Sequence, residues 1–189
     1  MANSANYFGF APVRHLTGGT IRPSEREILY SYATKIYKGD PVKLADDGTI
    51  RLAAAGDRIL GIFGGCSWTD SDGTPRFEPR WTAPGATSGS LNAKALVFDD
   101  PMIIFAVRSG GTPAQTNVGN LADHVAGTGS DLTGNSGAYL SGTMATSAAG
   151  FRILGFDKRA DNEVGIYAIL EVQIWEHEFS IDEAGTPGV

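Results

Sequence analysis

The groups in this chain that could do covalent or metal chemistry are few and scattered. A nucleophile elbow needs Gly-x-Ser-x-Gly, so that a strained strand-to-helix turn exposes the hydroxyl, and no serine here satisfies it. A phosphate loop needs glycines that run into Lys-Ser or Lys-Thr at a helix start. Gly127-Thr128-Gly129 and Gly134-Asn135-Ser136-Gly137 lack that ending and the flanking strand and helix, and read as loops. Asp70-Ser71-Asp72-Gly73 has the alternating carboxylates that open a calcium loop. The twelfth position, where an EF-hand needs a bidentate Glu, is Trp81, so the segment reads as a solvated turn. His15, His124 and His177 are far apart. In Glu176-His177-Glu178 a strand would point the imidazole away from both carboxylates. Cys66 is the only cysteine, which excludes an internal disulfide and a multi-cysteine metal site and suits a small semi-buried apolar residue. The expectation is a protein that is not an enzyme and folds without metal or cofactor. What remains is aromatic: Tyr7, Phe8 and Phe10, followed by Val13 and Arg14, and then Trp68, Phe77 and Trp81 in a polar stretch. These eight residues are the candidates for contact with a partner. Exposed aromatics at Trp68, Phe77 and Trp81 would also suit a carbohydrate-binding β-sandwich, the alternative reading.

The elements that must position these groups read as β throughout. Residues 1–26 show no sustained period and form an extended N-terminal arm. Full burial of Tyr7, Phe8 and Phe10 yields about 5 to 9 kcal/mol, while ordering about ten backbone residues costs about 10 to 20. The arm is therefore expected to be mobile until a neighbour adds contacts. Ser24-Glu25-Arg26-Glu27 resembles a capping box, yet the aromatic and β-branched content of Ile28 to Tyr37 favours a strand over the competing helix. Val42 and Leu44, a turn at Asp46-Asp47-Gly48-Thr49, and Ile50 and Leu52 make a hairpin. Ile59 to Cys66 is a third strand whose glycines predict a bulge. Residues 68–90 read as a long surface excursion. Ala93 to Phe98 and Met102 to Arg108 are further strands, and residues 109–137 are mostly loop with a short helix near Val118 to Val125. Val164, Ile166, Ala168, Leu170, Val172 and Ile174 alternate without a break, predicting a strand about 40 Å long at about 3.3 Å per residue, with this face in the core.

Residues 48–61 match residues 142–155 at nine of fourteen positions, both ending in Arg-Ile-Leu-Gly. The match predicts two equivalent β units facing each other in one core, at about residues 39–66 and 133–157. The organisation expected is the arm at 1–26, a single β domain at 27–179 and a flexible tail at 180–189. The fold class is all-β, a compact barrel or sandwich with long loops.

Composition supports this. Glycine is 25 and proline 9 of 189 residues, without a collagen-like period, so turns are many. A chain of this length can bury about 70% of its unfolded surface and needs no staple. The longest apolar run, Met102 to Val107, is far short of the roughly 20 residues of a bilayer span, and no secretory signal is visible. Net charge is −6 without a basic run, which argues against nucleic acid as a partner.

Gly39-Asp40-Pro41-Val42, Asp47-Gly48-Thr49-Ile50 and Ala54 to Gly65 resemble the β-rich segment of capsid decoration, or cement, proteins of tailed bacteriophages. Gly9 to His15, Val118-Gly119-Asn120, Thr133 to Gly137, Phe151 to Gly155 and Glu176 to Phe179 continue the resemblance over most of the chain. It implies a β-tulip-like or jelly-roll-like structural protein of the virion, made in the bacterial cytoplasm. Such a protein binds the outer surface of the assembled capsid and holds neighbouring capsomers together. The partners implied are the phage major capsid protein and neighbouring copies of the chain itself.

Overall fold

Burial with a period of two sets the architecture. In Ala93–Phe98 the small residues Ala93, Ala95 and Val97 are inside and Lys94 points to solvent, the mark of a strand with one face on a core. The computed structural model describes residues 3–70, 72–83, 93–145 and 148–180. Among them are strands β1 (Ala11–His15), β2 (Ser24–Ile28), β3 (Ile36–Tyr37), β4 (Pro41–Leu44), β5 (Ile50–Leu52), β6 (Gly61–Thr69), β7 (Pro75–Glu78) and β8 (Arg80–Trp81). They are followed by β9 (Ala93–Phe98), β10 (Ile103–Arg108), β11 (Leu121–Ala122), β12 (His124–Val125), β13 (Tyr139–Leu140), β14 (Phe151–Phe156) and β15 (Ile169–Ile174). A single 3₁₀ turn spans Gln115–Asn117.

One sheet has the order β1-β10-β15-β14-β11. The other runs β2-β9-β6-β4-β5, with β7 also paired to β6. Two short ribbons, β12-β13 and β3-β8, complete an antiparallel, sandwich-like arrangement, and no sheet closes into a barrel among the described residues. Each half has its own core. Phe105, Val107, Phe151, Ile153, Leu170 and Val172 fill the first; Ile28, Ile36, Val42, Phe63, Cys66 and Trp81 fill the second. Strand β6 belongs to both, because Ile62 faces the first core and Phe63 the second.

The sequence-predicted hairpin is present, with Val42 opposite Leu52 and Leu44 opposite Ile50. The bulge in β6 falls between Phe63 and Gly65, opposite β9. The extra residue keeps Phe63 and Cys66 on one face, opposite Val97 and Ala95. Gly65 has φ +144°, and a Cβ there would sit 3.1 Å from the Glu78 carbonyl oxygen, so the bulge requires glycine.

Other expectations are corrected. Residues 3–26 do not stand apart as an extended arm: β1 pairs with β10, β2 pairs with β9, and Phe10 is 2% exposed in the first core. Backbone pairing supplies the contacts that the aromatics alone lack. The region from Ile28 to Tyr37 is a strand end, a turn and a two-residue strand, not a continuous strand. Residues 118–125 form no helix; they follow the 3₁₀ turn and carry β11 and β12. The long last strand begins only at Ile169. Tyr167, at φ +59°, breaks the extended backbone, and Val164 and Ile166 are exposed while Leu170, Val172 and Ile174 are buried.

Where they are described, the two matched segments are not equivalent. Ile50–Leu52 forms a hairpin with β4, whereas the described part of its counterpart, 144–145, contributes an isolated bridge, Ala145 to Leu121. Arg152-Ile153-Leu154-Gly155 lies within β14, and Arg58-Ile59-Leu60 precedes β6. Part of the excursion at 68–90 is ordered as β7 and β8; residues 71 and 84–90 lie outside the described residues, as do 181–189 of the tail.

Candidate interaction surface

Two of the motifs meet at a buried joint that fixes the N-terminal segment. Gly39, at φ +96°, packs its backbone against residues 8–10, and its carbonyl accepts the Phe10 N–H at 2.9 Å. Asp40 accepts the Tyr37 N–H at 2.7 Å through Oδ2 and the Ser136 hydroxyl through Oδ1. Burial raises the Asp40 carboxyl above its ordinary value, against the effect of these two donors. Asn135 bridges to Lys38 in parallel. Gly39-Asp40-Pro41 and Gly134-Asn135-Ser136-Gly137 are therefore the clasp that holds the segment down.

Of the eight predicted contact residues, three belong to that segment's aromatic anchoring. Phe10 stacks on Phe151 with ring centroids 4.4 Å apart. Tyr7 stacks on Tyr139 at 4.3 Å and meets Tyr167 edge-on at 6.2 Å. Phe8 lies under the Arg108 guanidinium at 5.8 Å. Arg108 in turn donates to the carbonyls of Asn6 and Tyr167, at 3.0 and 2.6 Å. Further out, Asn3 and the 163–166 loop exchange three hydrogen bonds.

Val13 and Arg14 sit on the edge strand β1. The register shift between Pro12 and Arg14 leaves Val13 41% exposed, and Arg14 pairs with Glu171 at 2.7 Å. Sequence reasoning missed two neighbours of this edge: Leu16, 46% exposed, donates its N–H to the carbonyl of Met102, itself 41% exposed. The signal was present in the apolar pair Val13 and Leu16 flanking polar residues.

Trp68, Phe77 and Trp81 separate. Trp81 is fully buried, its indole N–H donating to the Tyr32 carbonyl at 2.9 Å, so its assignment to a contact surface is corrected. Trp68 is half-buried and meets Trp81 edge-on, at 5.7 Å and 81°. These rings do not form the exposed coplanar platform that a sugar-stacking site needs. Only Phe77, 71% exposed on β7, faces solvent as expected. Leu132, 95% exposed in the loop before β13, is a further exposed apolar residue.

The polar candidates are internally satisfied. Asp70 accepts from Trp68 Nε1 and Arg76 Nε, both at 2.7 Å, and hydrogen bonding lowers its carboxyl. His177 donates from Nε2 to the Asp99 carbonyl at 3.0 Å and accepts the Phe179 N–H on Nδ1 at 3.1 Å. Cys66 is buried, its thiol pushed up to about 12 by desolvation, with its sulfur 3.2 Å from the Arg80 carbonyl. Among the described residues no three His, Cys, Asp or Glu side chains group as a metal set. No protein family, no curated protein and no solved structure matches this chain.

Proposed function

We propose that this chain is a structural virion protein that binds the outer surface of an assembled phage capsid and ties neighbouring capsomers together. The motif resemblance over most of the sequence motivates the reading, and one structural observation supports it best. Among the described residues strand β1 is a sheet edge whose outer side pairs with no strand, and it carries exposed Val13 beside exposed Leu16 and Met102. An apolar edge of this kind is a surface suited to a partner, by strand addition or apolar contact. Repeated by capsid symmetry, many such modest contacts produce strong attachment. Phe77 offers a second contact on the other sheet. The net charge of −6 favours a protein partner over the genome.

The test is to mix the purified protein with capsids carrying the major capsid protein encoded beside it and to measure binding by sedimentation. Saturable, stoichiometric binding that weakens in Val13→Asp and Leu16→Asp supports the reading. Absence of binding to expanded capsids, or binding unchanged in both variants, rejects it.

A further inference from the structure

The clasp at Gly39 does more than hold the N-terminal segment down: it sets a cation at the mouth of an aromatic pocket. A Cβ on Gly39 would lie 3.1 Å from the Phe10 nitrogen and 3.3 Å from the Phe8 carbonyl oxygen, so glycine is what lets the chain before β4 approach residues 8–10 this closely. The pocket formed there has a volume of about 460 Å³, within the range of small-molecule sites. Phe8, Ala11, Pro12 and Phe98 line it, and each is only half-buried, so each keeps surface that a ligand can touch. Phe63 lies behind them, fully buried. Lys38 and Asn135 also line the pocket; they are bridge partners, and both are exposed. Asp40, the acid nearest to Lys38 in sequence, is turned into the clasp, where its carboxylate accepts the Tyr37 N–H and the Ser136 hydroxyl.

These groups define a ligand with two ends. The wall side chains are hydrocarbon, so the part that enters the pocket is apolar, an aryl or alkyl body. At the mouth the charge is of one sign. Lys38 is the only charged residue that lines the pocket, on a chain whose net charge is −6. A carboxylate placed there gains from the Lys38 cation and accepts from the Asn135 amide while keeping part of its hydration, so its desolvation cost is small. An ammonium in the same place meets a like charge. We propose that this pocket binds a small amphiphilic carboxylate, with its aryl or alkyl body against Phe8, Phe98 and Pro12 and its carboxylate at Lys38 and Asn135. Burial of the body supplies most of the affinity, and the exposed ion pair sets the preference for the acid. The site does not depend on the capsid reading.

The experiment is an NMR titration of the isotopically labelled full chain with 3-phenylpropionate and octanoate, and with the neutral 3-phenylpropanamide and the cationic 3-phenylpropylamine as matched probes. The expected result is saturable millimolar binding of at least one acid, with amide shifts at Phe8, Ala11, Lys38, Gly39 and Asn135. 3-Phenylpropionate binds about threefold or more tighter than its amide, and the amine binds most weakly. Lys38→Met keeps the apolar stem and loses the charge, and it brings 3-phenylpropionate and its amide within about twofold of each other; Lys38→Glu reverses their order. The Lys38 side chain is exposed, and the hydrogen bonds from its main-chain N–H to the carbonyls of Pro79 and Gly134 do not involve it, so both variants keep the fold. The proposal is overturned if neither acid gives saturable shifts at these amides, if the parent binds the amide or the amine as tightly as 3-phenylpropionate, or if Lys38→Glu keeps the parent's preference. Shifts centred instead on exposed Phe77 or Trp175 would mean unspecific adsorption and overturn it as well. The titration uses the free protein, so its failure leaves the capsid proposal standing.

Discussion

His177 and His124 are buried imidazoles whose burial disfavours the charged form, and both make the fold sensitive to acid. In His177 both ring nitrogens are used, one donating to Asp99 and the other accepting from Phe179, so a second proton would break the Phe179 contact. In His124, Nε2 donates to the Ala53 carbonyl at 3.0 Å, Nδ1 is buried with no hydrogen-bond partner among the described residues, and the ring meets Phe151 edge-on. Burial lowers both from the ordinary histidine value of 6.5. The unfolded chain therefore takes up protons that the folded chain refuses, and stability falls as pH drops below 6.5 toward the folded values. Asp40 and Glu178, raised by burial, act in the opposite sense in the carboxylate range. The expected outcome is a urea midpoint that falls between about pH 7 and pH 5, with a shallower fall in His177→Asn and His124→Asn. An equal slope in the parent and both variants would place the acid sensitivity elsewhere.

The last strand shows what alternation of residue types can and cannot report. Leu170 is fully buried between the sheets, whereas Ile166, four residues earlier on the same predicted face, is 53% exposed beyond the Tyr167 break. Leu170→Ala should cost about 2 to 5 kcal/mol and Ile166→Ala less than about 0.5, both read by chemical denaturation. Similar losses in the two would mean that the strand continues through Tyr167. At the other end of the chain, Phe10→Ala should cost about 3 to 5 kcal/mol, because Phe10 is stacked in the core and not part of a free arm. A loss below about 1 kcal/mol would restore the mobile arm. The hairpin β4–β5, the bulge in β6, and strands β9 and β10 were legible because local pattern and turn residues specify them. Burial of Trp81 was not, because polar sequence neighbours suggested a surface loop while a nonlocal pairing of β8 with β3 draws the indole inward.

Strand β6 ties the molecule together, since neighbouring residues Ile62 and Phe63 serve different cores. If that sharing makes the two halves one cooperative unit, damage in one core must be felt in the other. Cys66 offers a direct probe. It lies in the second core, fully buried, with a thiol pushed up to about 12, so reagents reach it as a reactive thiolate only after that core opens. Leu170 lies in the first core and is not in the Cys66 cluster. Under native conditions with slow reagent, the labelling rate tracks the population of open molecules, so a loss of about 2 kcal/mol or more at Leu170→Ala should accelerate Cys66 labelling by about thirtyfold or more. The acceleration should match the stability loss measured by denaturation, and circular dichroism and tryptophan fluorescence should report one coincident transition. Labelling of Cys66 that stays at the parent rate while Leu170→Ala loses stability would show that the second core opens independently. The shared strand would then be a hinge between two lobes.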